Sequence, residues 1–114
     1  MSNWKIYHNP QCSKSREALG LLQARGIQPK VIEYLKQPPT ADELRGLIKT
    51  LGVPSSAVVR TKEELFQQLN FDVNSLETVI ENLAKHPRLL ERPIIVKDQT
   101  AVIGRPVENI EKLF

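Results

Sequence analysis

The first 35 residues constrain the fold more than any other stretch. Trp4-Lys5-Ile6-Tyr7 is a short run rich in β-formers. From Ser13 to Arg25, residues Ala18, Leu19, Leu21 and Leu22 fall on one face at helical spacing. Gly26 stands where a residue just past the helix would stop it in the left-handed conformation. Val31-Ile32-Glu33-Tyr34-Leu35 is then a second β-rich run. Strand, helix and strand in so short a segment form a βαβ unit. Its two strands must lie parallel, because a helical crossover returns the chain to the same end of the sheet.

The rest of the chain adds helices and then two more strands. Pro38-Pro39 closes the second strand region, and Thr40-Ala41-Asp42-Glu43 has the form of a capping box. Leu44, Leu47, Ile48 and Leu51 line one face behind it, and Gly52 and Pro54 end that helix. A short helical turn over Ser55–Val59 is expected to precede Arg60. A second capping box at Thr61-Lys62-Glu63-Glu64 would open a helix running to Leu69, and Leu76, Val79, Ile80 and Leu83 mark another that ends at Pro87. Ile94-Ile95-Val96-Lys97 and Thr100-Ala101-Val102-Ile103 read as hairpin arms around Asp98-Gln99, which is not a favoured turn pair. Val107–Phe114 is expected to be a terminal α-helix with Pro106 near its first position. The order is β-α-β, a helical insert over about residues 40–87, then β-β-α. Fold class is therefore α/β, a small mixed sheet in a single domain of 114 residues.

The N-terminal run has no signal-peptide pattern and no apolar stretch approaches the ~18 residues of a membrane span, so a cytoplasmic protein is expected, with no membrane partner. A net charge of +3, with acids and bases interleaved, gives no footprint for nucleic acid. There is one cysteine and there are two histidines, His8 and His86. That inventory excludes an intramolecular disulfide and a cysteine zinc cluster, and no metal site is expected.

The one cysteine, Cys12, falls where the first strand gives way to the first helix. Backbone N–H groups at a helix start have no intrahelical acceptors and carry the positive end of the helix dipole. A thiol placed there is drawn below the ~8.5 of free cysteine. Lys14, Arg16 and His8 stand close in sequence and favour the anion. The same N–H groups, from residues such as Ser13 and Lys14, suit an oxyanion. Position 15 is Ser15, so no Cys-x-x-Cys pair exists. The residue six after Cys12 is Ala18, so the Cys-x5-Arg phosphatase loop is absent too. What remains is a single-thiol nucleophile, whose modified sulfur must be restored by a thiol from another molecule.

Arg60, Arg92 and Arg105 each stand at a break between elements, and the last two are followed by proline. Arginine offers a rigid fork of donors suited to tetrahedral oxyanions. On base rates the Arg92–Pro93 bond would be trans.

His8-Asn9-Pro10-x-Cys12-x-x-Ser15-Arg16, then Arg60, Glu91-Arg92-Pro93-Ile94-Ile95-Val96 and Gly104-Arg105-Pro106 together resemble the arsenate reductase (ArsC) family of the glutaredoxin-coupled type. The likeness is greatest to its small arsenate-reductase-like branch, and Ile103-Gly104 is where well-studied members usually differ. The resemblance covers nearly the whole chain. It implies a thioredoxin-like fold with a helical insertion. It also implies that Cys12 attacks arsenate, that Arg60, Arg92 and Arg105 bind the oxyanion, and that His8 and Ser15 tune or hold the thiolate. A cis peptide before Pro93 is implied as well. Glutathione would be co-substrate and glutaredoxin the partner, acting on a monomer with no tightly bound cofactor. Two other readings fit the same fold: a glutathione-dependent thiol enzyme with another substrate, and a redox regulator that binds RNA polymerase. The second normally uses the Cys-x-x-Cys switch that Ser15 removes.

Overall fold

The computed structural model describes residues 2–114, which form two compact units. The first unit runs to Gln37 and resumes over Arg92–Phe114; the second is Pro38–Glu91. Among the described residues no helix is long and apolar enough to cross a membrane.

The first unit is a four-stranded sheet with strands β1 (Trp4–His8), β2 (Lys30–Glu33), β3 (Ile94–Lys97) and β4 (Thr100–Ile103), in the order β2-β1-β3-β4. β1 is parallel to β2 and antiparallel to β3, and β3 and β4 form the hairpin. Ile6 pairs with Val31 on one side and Ile95 on the other. Helix α1 (Ser13–Ala24) is the crossover between the parallel strands. Ile6, Ala18, Leu22, Ile95, Ile110 and Leu113 close into one buried cluster. Each large aliphatic side chain fully removed from water there contributes ~1.5–3 kcal/mol. α1 ends as its sequence foretells: Gly26 takes φ +77, its N–H donates to Gln23 O at 3.0 Å, and Ile27 N–H reaches Leu22 O at 2.9 Å.

Two details of this unit differ from the sequence expectation, and the expected hairpin forms despite its unfavoured turn pair. β2 stops at Glu33 rather than Leu35, because the Glu33 carbonyl accepts the N–H of both Lys36 and Gln37 at 2.9 Å and turns the chain. The hairpin turn works with Asp98 at φ +53 because Asp98 is held from outside the turn. Its Oδ1 accepts Asn3 N–H at 2.8 Å, and its own N–H donates to Asn3 O at 2.9 Å. The terminal segment Val107–Leu113 is a 3-10 helix, not an α-helix. Three-residue winding stacks residues three apart. It thereby brings Ile110 and Leu113 to the same core, with Val107 packed against it. Asn109 fixes the entry, its Nδ2 donating to Ile103 O at 3.1 Å and to Arg105 O at 3.0 Å.

The second unit contains α2 (Ala41–Leu51), a 3-10 turn at Ser55–Val58, α3 (Glu64–Leu69) and α4 (Leu76–Lys85). The Thr40 capping box forms in both directions, and Gly52 ends α2 at φ +65. Leu44, Leu47 and Ile48 of α2 and Val79, Ile80 and Leu83 of α4 are buried, and the two helices pack together. On their exposed side Arg45 bridges Asp42 at 2.9 Å and Glu77 at 2.7 Å. The expected second capping box is absent. α3 starts at Glu64 behind Glu63, since Arg60 O accepts the Glu63 N–H at 3.1 Å in a tight turn that delays the helix past Thr61.

Candidate active site

A set of local hydrogen bonds shapes the loop between β1 and α1 around Cys12. The Asn9 carbonyl accepts the Cys12 N–H at 3.0 Å, and Asn9 Oδ1 accepts the Gln11 N–H at 3.0 Å. The second bond is an Asx turn, the local side-chain-to-backbone bond that makes asparagine a turn former. Arg16 Nη1 donates to Pro10 O at 3.1 Å from the first turn of α1. Cys12 itself is the N-cap, with extended backbone (φ −96, ψ 122), and its carbonyl accepts the Arg16 N–H at 3.0 Å.

Ser15 lies fully buried one turn into the helix. Its Oγ accepts the Asn9 N–H at 3.0 Å and lies 2.6 Å from His8 Nδ1. With the oxygen already accepting from Asn9, the hydroxyl proton is available to His8 Nδ1 when the ring carries its proton on Nε2. Burial lowers the His8 pKa below its ordinary value; Glu33, its register partner on β2, opposes this and Arg16 adds to it. The shift favours the neutral imidazole, and the contact His8 makes at the site is with Ser15.

Two arginines reach Cys12 from the β3 and β4 ends. Arg105 Nη2 lies 3.6 Å from Cys12 Sγ, while its Nε donates to Arg92 O at 3.0 Å. The Arg92–Pro93 bond is cis, and so is Arg105–Pro106, which nothing in the sequence marks. The loop ends are tied together where Gly104 N–H donates to Pro93 O at 2.8 Å. Burial pushes the Cys12 thiol up. The Ser15 N–H, the Arg92 side chain and the Lys14 N–H outweigh that and bring it down to about 7. A substantial thiolate fraction is thus present at neutral pH, on a side chain only 9% exposed.

The expected site residues divide into two groups. Cys12, His8, Ser15, Arg92, Arg105 and Pro93 belong to the first unit and are joined by the contacts above. Ser13 and Lys14 are the first residues of α1; Lys14 contributes its N–H, while its side chain is exposed and lies 4.0 Å from Glu17. Arg60 belongs to the second unit. There an antiparallel bridge between Val59 and Leu90 sets it beside Glu91, with Arg60 N–H donating to Leu89 O at 2.8 Å. Its guanidinium pairs with Glu63 through Nη1, and its Nε lies 4.0 Å from Glu91. Asn9 was not singled out from the sequence, although an Asn-Pro pair behind a strand is a turn signal. Among the described residues no three His, Cys, Asp or Glu side chains gather to hold a metal.

A lone thiol at the start of the crossover helix of a β2-β1-β3-β4 sheet, beside a cis-proline loop, defines a thioredoxin-like protein with one free cysteine. The model of the ArsC family matches residues 7–113, and the chain belongs to that family. It is 45% identical over 117 residues to an arsenate reductase of Neisseria meningitidis, with all of both chains covered. It is 48% identical over 109 residues to the uncharacterized protein YfgD of Escherichia coli, covering 93% of this chain and 92% of that one. Among solved structures, an arsenate reductase from Vibrio cholerae matches with a TM-score of 0.93 and 43% identity over 98% of each chain.

Proposed function

We propose that this protein reduces arsenate to arsenite through an adduct on Cys12, with glutathione and glutaredoxin supplying the electrons. The observation that carries the reading is a thiol held at about 7 with a guanidinium nitrogen 3.6 Å from its sulfur. That arrangement joins a nucleophile to an oxyanion cradle. The arsenate reductases among its relatives supply the substrate class.

The Cys12 thiolate attacks arsenic, forming a sulfur–arsenic bond as an arsenate oxygen leaves with protons as water. Arg92 and Arg105 neutralise the charge of the oxyanion, and the α1 N–H groups, those of Ser13 and Lys14 included, face the developing charge. Arg60 is assigned as a further oxyanion ligand. Ser15 and His8 keep the loop and its thiol in place. Glutathione thiolate then attacks the arsenic and displaces a second oxygen. Glutaredoxin takes the glutathione sulfur as a mixed disulfide, leaving its electron pair on arsenic, which becomes As(III). Water releases arsenite and restores Cys12. With one cysteine in the chain, no internal disulfide can replace these external thiols. The reading is of a monomer working in the cytoplasm, where such thiols are kept reduced.

The test is arsenate-dependent NADPH oxidation in the presence of glutathione, glutaredoxin and glutathione reductase. Turnover by the wild type and none by Cys12→Ser is the expected result. A wild-type rate no higher than that of Cys12→Ser would sink the reading.

A further inference from the structure

The chain places glycine at 104, immediately before Arg105, although the backbone there needs no left-handed conformation. Space is what requires it. A Cβ built at Gly104 would stand 2.9 Å from Ile95 Cδ1 and 3.0 Å from Pro93 Cγ. Neither neighbour can give way freely. Ile95 is fully buried in the cluster with Ile6, Ala18, Leu22, Ile110 and Leu113. The Pro93 ring can only repucker and cannot swing away, and its carbonyl accepts the Gly104 N–H at 2.8 Å. One residue further on, Arg105 Nε donates to Arg92 O at 3.0 Å and Nη2 reaches Cys12 Sγ at 3.6 Å. The close approach of the two loops and the aim of the guanidinium are thus successive rungs of one ladder. Gly104 rests on Pro93, Arg105 rests on Arg92, and the end of Arg105 meets the sulfur.

We propose that Gly104 is a positioning residue for Arg105, its missing side chain letting the loop after β4 seat on Pro93 so that the guanidinium reaches Cys12. A methyl group at 104 lifts that backbone away from Pro93. Displacement by a few tenths of an ångström at the glycine is magnified along the arginine side chain, and misplacement of a charged group by about 1 Å costs up to ~100-fold in rate. The inference rests on the oxyanion-cradle reading of the site, not on arsenate as the substrate.

The experiment is chosen to keep those two apart. Cys12 is the chain's one thiol, so its alkylation can be followed with an anionic reagent, iodoacetate, and a neutral one of similar size, iodoacetamide. In each case the thiolate displaces iodide. The ratio of the two rates reports positive charge held at the sulfur and cancels changes in thiolate fraction. It is measured for wild type, Gly104→Ala, Arg105→Ala and the double variant. The expected result is a fall of several-fold in the ratio for Gly104→Ala, with no further fall when Arg105→Ala is added. Ile95→Val removes Cδ1, the atom nearest the new methyl, and is expected to restore part of the ratio in the Gly104→Ala background. A folded Gly104→Ala protein with the wild-type ratio overturns the proposal, as do losses that simply add. If Gly104→Ala does not fold, the Ile95→Val/Gly104→Ala protein is read in its place. If that also fails to fold, the glycine is a requirement of the core and the positioning role is overturned. Absence of arsenate turnover with the expected ratios would reject the substrate and leave Gly104's role intact.

Discussion

Arg105 and Arg60 occupy similar places in the sequence, each at a break between elements, but their surroundings are opposite. Arg105 has its Nε on a backbone carbonyl and its Nη2 toward a sulfur, with Arg92 acting on the same thiol. Arg60 faces two carboxylates, Glu63 and Glu91, and all three side chains are only about a quarter exposed or less. Every group described above as setting the Cys12 thiol lies in the first unit. An arginine at a chain break is therefore not one kind of residue. Where it meets a thiol, its charge stabilises a nucleophile; where it meets acids, its charge is already balanced, and an incoming anion has to compete.

The contrast can be broken at several levels. The largest effect is expected from Cys12→Ser, which removes the atom that Arg92 and Arg105 serve; arsenate turnover should fall to background in the coupled assay. Next comes Arg92→Ala. Removing that cation raises the thiol from about 7 toward the range of a free cysteine and lowers arsenate kcat/KM by roughly 10- to 100-fold. The sign is set by the thiolate being the reactive form. In wild type the alkylation rate climbs about tenfold per pH unit below the pKa and levels off above about 7. In Arg92→Ala that limb moves to higher pH, and an unmoved profile would contradict the assignment.

Arg60→Ala should lower arsenate kcat/KM by about tenfold while leaving the alkylation profile where it is. A shift of that profile as large as the one caused by Arg92→Ala would erase the distinction between the two arginines. The smallest effect belongs to Glu63→Gln. Loss of a partly exposed ion pair is expected to lower unfolding free energy by about 0.5–1 kcal/mol in a denaturant titration. Arg25→Ala is the control, because that guanidinium is engaged elsewhere, 2.5 Å from Glu111 and stacked 4.5 Å above the Phe114 ring. Its alkylation profile and arsenate kinetics should match wild type.

What the sequence revealed follows the range of the interactions concerned. The βαβ unit, the Thr40 capping box, the Gly26 and Gly52 stops and the placing of Cys12 at a helix start rest on neighbours within a few residues, and patterning exposes these. The 3-10 form of Val107–Leu113 was hidden because spacing of three at Val107, Ile110 and Leu113 fits either helix, and the core it meets is built from β1, α1 and β3. The Thr61 box failed for a related reason: Arg60 O captures the Glu63 N–H first. At the site, the loop over residues 8–16 was largely legible. The ladder joining Arg92, Pro93, Gly104 and Arg105 to Cys12 was not, since it spans more than 90 residues of chain. Its meaning came through resemblance, and its geometry only through the sheet.

β1 is hydrogen-bonded on both sides, to β2 in one direction and to β3 in the other. Successive residues of a strand face opposite ways, so a shift of one position would turn every side chain of β1 over at once. His8 closes that strand, and Cys12 follows four residues later. The sheet thereby works as a ruler for the chemistry. Exchanging one aliphatic residue for another in Trp4–His8 changes how well the ruler is made; adding or deleting a single residue there changes what it measures, and carries the sulfur away from its arginines.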